Sequence, residues 1–278
     1  MILDCLLDSL IDSIKLLPFL FITYYVMEYL EHKAGSKMQY AIKKAGKSGP
    51  LIGGVLGAFP QCGFSAAASN LYAGKIITIG TLIAVYLSTS DEMLPIMISN
   101  NAGVAVIGKF LIVKILIGMI AGFVIDFVFR KKSYEQNIHH ICEEHHCHCE
   151  EGILKSAIHH TLEIFIYILI ISFVLNIIIG VVGEDTIQSV ISNKPFIGGM
   201  ISGLIGLIPN CAGSVVITEL FLNGVISFGV ALSGLLAGSG VGILVLFRVN
   251  DDIKENIKIL LITYIVSVIV GFIVGLVF

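Results

Sequence analysis

The chain reads Asn137-Ile138-His139-His140-Ile141-Cys142-Glu143-Glu144-His145-His146-Cys147-His148-Cys149-Glu150-Glu151 near its middle. With His159 and His160 just after, seven of its eight histidines and three of its six cysteines lie here. Imidazole and thiolate at such close spacing are ligands for Zn, Cu, Ni or Co, and the glutamates add charge and hard oxygen. His139, His140, Cys142, His145, His146, Cys147, His148 and Cys149 are therefore candidate metal ligands. No clean pair of Cys-x2-Cys units selects one ligand set. The alternative is a low-complexity linker that binds metal only adventitiously.

A second set of polar residues interrupts apolar stretches. Gln61, Cys62, Ser65 and Asn70 lie in one such stretch, and Asn210, Cys211, Ser214, Thr218 and Glu219 in another; Ser88-Thr89-Ser90-Asp91-Glu92 breaks a third. Ionisable groups at membrane depth cost about 2.5 kcal/mol or more, so they usually face a cavity and serve a pathway or relay. Asp91 and Glu92, followed by Pro95, sit where a helix is expected to break. Freed carbonyls with carboxylate, hydroxyl and thiol groups would there make a mixed oxygen and sulfur cation site. Blander readings stand beside this one. A cysteine in an apolar helix is ordinarily a small hydrophobe, serines such as Ser65 and Ser214 allow close helix packing, Asp91 would also suit a polar loop at the membrane edge, and Glu219, with Asn223 and Gly224 after it, the outer mouth. Cys62 and Cys211 stand out because each follows a proline, and they are expected to approach each other at the midplane.

The elements that must position these groups follow from composition. Of 278 residues, 56% are hydrophobic and 13% charged, and mean hydropathy is +0.95. Such a chain cannot cover a water-facing surface, so most of that surface faces lipid. Apolar stretches run over 10–30, 51–73, 76–98, 104–129, 153–182, 196–222, 225–247 and 259–278. Two are split, by Pro60-Gln61-Cys62-Gly63 and by Pro209-Asn210-Cys211-Ala212. Each split leaves two half-helices of about 11 residues, roughly 16 Å long, enough to reach the midplane and return.

Charge placement orients them. Lys33, Lys37, Lys43, Lys44 and Lys47 follow the first stretch, and Arg130, Lys131 and Lys132 open the central loop. Both segments belong in the cytoplasm. A full crossing at 51–73 would separate them by three crossings; a re-entrant hairpin, or two short crossings, keeps them on one side. The second half then places Arg248, Lys254 and Lys258 inside as well, and both termini outside. Asp4, Asp8 and Asp12 stand where a signal peptide would carry basic residues, so none is expected. The cysteines form no disulfide framework and suit a reducing compartment or metal ligation.

At an ungapped offset of 149 residues, 51–90 lies over 200–239. Gly54 meets Gly203, Gly57 meets Gly206, Pro60 meets Pro209, Cys62 meets Cys211, Ser65 meets Ser214, Leu71 meets Leu220, Gly80 meets Gly229 and Ser90 meets Ser239. The topology gives the copies opposite orientations. Broken helices at matching positions of inverted halves point to a transport site near the midplane. The fold class expected is an all-α polytopic membrane protein, an inverted repeat of two five-segment halves with broken or re-entrant helices at Pro60 and Pro209. Residues 1–132 form the first repeat, 133–152 the cytoplasmic metal-binding loop and 153–278 the second repeat.

No His-Glu-x-x-His, phosphate loop or nucleophile elbow is present, so no enzyme is expected, and transport would draw on an ion gradient or the substrate's own. The run Gly238-Ser239-Gly240-Val241-Gly242 reads as part of an apolar span. Net charge of -3 and pI near 6.2 give no reason to expect nucleic acid.

The runs 59–67, 87–96, 208–212 and 238–248, Ser88-Thr89-Ser90-Asp91-Glu92 most specifically, resemble the ten-helix heavy-metal exporter family, also described as arsenic efflux proteins or manganese transporters and akin to the organoarsenical permeases. The resemblance implies export of a metal or metalloid from the cytoplasm across the plasma membrane. Manganese would suit the carboxylates and carbonyls, and arsenite or a soft metal the cysteines. A metal-permeable channel or importer with the same site, and a membrane metal sensor without transport, stay open as alternatives, as does a homo-oligomer. No tightly bound cofactor is expected; transition-metal ions would be substrate or loop ligand.

Overall fold

The computed structural model describes residues 10, 11, 14, 17, 18, 21, 22, 25, 48–59, 62–90, 93–129, 154, 155, 157–159, 161, 162, 165, 166, 169, 170, 173, 174, 195–209 and 211–277, with residues 62, 195, 211 and 212 as backbone only. The described residues of the first and fifth apolar stretches are helical. Between and after them stand two sets of five helices. The first set is α1 Gly49–Gly57, α2 Cys62–Ala73, α3 Ile79–Ser88, α4 Met93–Ser99 and α5 Val104–Phe129. The second is α6 Pro195–Gly206, α7 Cys211–Leu222, α8 Phe228–Ala237, α9 Gly242–Val249 and α10 Ile253–Val277.

Local chemistry sets these boundaries, and it recurs 149 residues apart. Pro60 and Pro209 disfavour helix in the residue before them, and α1 and α6 stop short of each. The Thr78 hydroxyl caps α3 by accepting from the Thr81 amide at 3.1 Å, as Ser227 caps α8 by accepting from Val230 at 3.4 Å. After α2 the chain turns through Lys75 at φ 55°, and after α7 through Gly224 at φ 71°. There Ile76 donates to the Leu71 carbonyl at 2.8 Å and Val225 to that of Leu220 at 2.9 Å, the closing bond of a Schellman turn. Pro95 lies in the first turn of α4, where its missing N–H costs no helical bond.

One break departs from expectation. The stretch 225–247 reads as one span, yet α8 ends at Ala237 and α9 begins at Gly242. Gly240 takes φ 56° there, a conformation glycine adopts without a Cβ penalty.

Among the described residues, four stretches are long and apolar enough to cross a membrane: Ile79–Ser99, Val104–Phe129, Phe228–Val249 and Ile253–Val277. At about 1.5 Å per residue, the 26 residues of α5 exceed a hydrocarbon core of about 30 Å. Phe110, Lys114, Gly118 and Gly122 bury one stripe of α5, and Ile259, Thr263, Ser267 and Gly271 bury the equivalent stripe of α10. Ile112, Leu116, Ile120 and Phe127 stay exposed on α5, the face an acyl environment would cover.

The packing has a direction. Gly49 and Gly53 of α1 lie against Thr81 of α3 while Gly57 lies against Val85 and Ser88, so α1 and α3 run the same way. Helix α5 runs opposite, with Gly122 against Gly80 and Gly118 against Ala84. In the second set Gly199 faces Ser233 and Gly206 faces Gly234 and Gly238, again parallel, while Gly275 and Gly271 of α10 meet Gly229. Across the sets, Lys258 at the start of α10 lies 3.6 Å over the Phe129 ring at the end of α5, and Lys109 near the start of α5 lies 4.2 Å over Phe228 at the start of α8. Helix α2 packs on α9, α4 on α7, and α3 on α8.

Candidate cation site at the helix breaks

Helices α3 and α8 both stop inside the protein. Every residue of α3 is buried, as is all of α8 from Gly229 onward, and so are Thr89, Ser90 and Ser239 beyond their ends. A helix end leaves its last carbonyls without helical partners and carries partial negative charge. Buried, such an end attracts a cation.

Lys114 supplies one. It sits ten residues into the 26 of α5, about 15 Å from its start, and it is 1% exposed. Its Nζ donates to the Thr89 carbonyl, at the C-cap of α3, and to the Leu235 carbonyl of α8 at 2.6 Å. One ammonium thus joins a helix end from each half of the chain. Among the described residues it is the fully buried charged side chain.

Hydroxyls surround the breaks. Ser88 donates to the Ala84 carbonyl at 2.8 Å, Thr89 to Val85 at 2.8 Å and Ser90 to Ser88 at 3.1 Å. On α2 the Ser69 hydroxyl lies 2.8 Å from the Ser65 carbonyl, 2.7 Å from the Gly242 carbonyl at the start of α9 and 2.7 Å from the Tyr86 hydroxyl of α3. With one proton to give, it serves one carbonyl and accepts from Tyr86. Its counterpart Thr218 donates to Ser214 at 2.7 Å. Gly242 permits this approach: a Cβ there would come within 2.8 Å of the Ser65 Cβ.

The residues singled out from sequence divide accordingly. Ser65, Asn70, Ser88, Thr89, Ser90 and Ser214 are all buried, on α2, at the end of α3 and on α7. Glu219 is exposed near the end of α7 and shares nothing with them. Cys62 and Cys211 begin α2 and α7 as backbone, without described side chains. Gln61, Asp91, Glu92 and Asn210 lie outside the described residues, as do His139, His140, Cys142, His145, His146, Cys147, His148 and Cys149. Among the described residues no three His, Cys, Asp or Glu side chains gather where they could hold a metal ion. The donors described at the breaks are hydroxyl and carbonyl oxygens, which suit hard cations. Lys114 and Tyr86 escaped the sequence reading. The signal for Lys114 was an ionisable residue deep in an apolar span; for Tyr86 there was none.

Asp126, half-buried near the far end of α5, has a separate task. It accepts from the Thr78 hydroxyl at 2.7 Å and the Gly80 amide at 2.9 Å, placing negative charge at the N-terminus of α3.

A family model described as "Putative, 10TM heavy-metal exporter" matches residues 2–186 and 180–277. No curated protein and no solved structure matches at a significant level. The matched stretches run from residue 2 to residue 277, and the chain belongs to this heavy-metal exporter family.

Proposed function

We propose that the protein is a secondary transporter that exports a divalent heavy-metal ion or a metalloid from the cytoplasm, through a site where α3 and α8 end against each other. The observation that carries this reading is the Lys114 ammonium on the Thr89 and Leu235 carbonyls. It supports a cation-stabilising centre at mid-depth, built from both halves. Asp91 and Glu92 directly follow the buried Ser90 and would supply the anionic ligands, with Gln61, Cys62, Asn210 and Cys211 at the neighbouring breaks.

The packing directions support a returning α1–α2 hairpin. If α1 and α2 crossed together as one span, α3 would come back antiparallel to α1; the two run parallel instead. Sidedness is supported by the ends of α5 and α10. Arg130, Lys131 and Lys132 follow Phe129 in sequence, and Lys258 lies over the Phe129 ring, so the end of α5 and the start of α10 share one side, which charge bias assigns to the cytoplasm. Helices α5 and α10 then point in opposite directions, as an inverted repeat requires. A plasma-membrane protein with a cytoplasmic central loop and outward termini fits this arrangement.

The test is flux in proteoliposomes loaded in turn with Mn, Zn, Co, Ni, Fe and arsenite, with and without a proton gradient. Saturable transport of at least one, accelerated by the same species on the far side, is the expected result and separates a carrier from a channel. Absence of flux with all six would defeat the reading.

Within this scheme the loop from His139 to Cys149 collects metal on the cytoplasmic side, raising its local concentration near the entrance. Deleting it should raise the apparent KM about tenfold while leaving the maximal rate nearly intact. Histidine protonation below pH about 6.5 should mimic that loss in the intact protein. If the deletion abolished turnover at saturating metal, the loop would belong to the transport site itself.

A further inference from the structure

The two halves match closely in architecture and differ in charge. At the offset of 149, Lys114 corresponds to Thr263, and Asp91 and Glu92 correspond to Gly240 and Val241. Thr263 is buried like Lys114, yet its hydroxyl merely donates to the Ile259 carbonyl one turn back, at 2.9 Å. The caps, the Schellman turns and the close glycine contacts recur in both halves. The intramembrane ammonium and the adjacent acidic pair do not. A repeat built for stability alone would have no reason to break its symmetry at these positions, because burying a charge is costly unless it is paired.

We propose that the Lys114 ammonium is a built-in stand-in for the transported cation. It fills the space between the carbonyl ends of α3 and α8 when the substrate is absent and yields those oxygens when the substrate arrives. This inference rests on the export reading and adds to it how the empty transporter returns. Two helix C-termini brought together without a cation would repel each other in a low-dielectric interior. The carrier would then be trapped wherever it releases its cargo. An ammonium on a four-carbon stem is suited to the exchange, since it is a compact charge with rotatable donors and can withdraw without moving the helix backbone. The acceptors it holds are backbone carbonyls from both halves, 25 and 121 residues away in sequence, so its position reports whether the two helix ends are together. Substrate and ammonium compete for one set of oxygens. The charge they place there is what permits the site to close.

The experiment compares two transport modes in the full-length protein, for wild type, Lys114→Met, Lys114→Gln and Lys114→Arg. Net efflux requires the empty carrier to return. Counterflow, in which tracer Mn(II) exchanges against unlabelled Mn(II), does not. Lys114→Met and Lys114→Gln should lose net Mn(II) efflux by about tenfold or more while counterflow stays within about twofold, and Lys114→Arg, which keeps the charge, should retain part of the net flux. In detergent, Mn(II) should protect Lys114→Met from thermal unfolding at about tenfold lower concentration than wild type, because its competitor is gone. A lysine that only pins two helices would predict otherwise. Loss of both modes, retention of both, or protection no better than wild type overturns the proposal. Wild-type inactivity in both modes, with Zn(II) and arsenite as well as Mn(II), defeats the export reading instead. The melting titration would still decide whether ammonium and cation compete.

Discussion

Asp91→Asn should reduce metal flux by about a hundredfold without reducing the amount of protein in the membrane, and Glu92→Gln should do nearly as much. Asp91 and Glu92 are flanked in sequence by Ser90 and Met93, each 1% exposed, and in the proposed site they are the anionic ligands. A carboxylate there earns its ionised state only beside a cation. Removing one partner of a buried, charge-paired group costs about 3 kcal/mol or more, and about 1.4 kcal/mol is a tenfold change. The equivalent positions in the other half carry no carboxylate, being Gly240 and Val241. Flux per molecule, normalised to protein in the vesicles, is the measurement. Wild-type rates in both variants would place the cation elsewhere.

Gly206→Ala should unfold at a lower temperature than any single polar substitution at the breaks, by about 6 °C or more, and Gly57→Ala should follow it. A Cβ on Gly206 would overlap the Gly234 carbonyl, and one on Gly57 would overlap Ser88 and come within 2.6 Å of the Val85 carbonyl. The obstructing atoms include backbone, which cannot rotate aside as a side chain can. Overpacking of this kind costs about 1–3 kcal/mol or more, and each kcal/mol shifts the midpoint by about 2–4 °C in a chain of this size. Small residues are what let α1 approach α3 and α6 approach α8 closely. Gly103→Ala and Gly108→Ala are the controls, with nothing within 4 Å of the added methyl. Should Gly206→Ala melt with the controls, the close approach of α6 to α8 would be wrong.

Both predictions draw on features that differ in how far the sequence disclosed them. The glycines at 57 and 206 were visible as repeat partners, and their spacing from Pro60 and Pro209 located the half-helices to within a few residues. Proline acts on its own neighbours, so its effect can be read locally. The break at 89–92 was legible for the same reason, since a polar run followed by proline cannot continue an apolar helix. The break at 238–241 was not. Glycine sits in a packed helix as readily as in a turn, and only the neighbouring helices decide which.

Amino-acid order by itself determined that the chain lies in a membrane, where proline breaks its helices, that its halves repeat at 149 residues, and that histidines and cysteines crowd the central loop. These follow from hydropathy, proline geometry, identity at a fixed offset and ligand chemistry, all properties of residues near one another in the chain. Tertiary structure alone decided that α1 lies parallel to α3, that Tyr86 reaches Ser69 and that Ser69 reaches the Gly242 carbonyl. It also decided that Lys114, one of two lysines in an apolar helix, is turned inward onto Thr89 and Leu235. A side chain's charge is written in the sequence, but the oxygens that stabilise it belong to helix ends brought together from distant parts of the chain, and backbone carbonyls look the same at every position until the fold leaves some of them without helical partners.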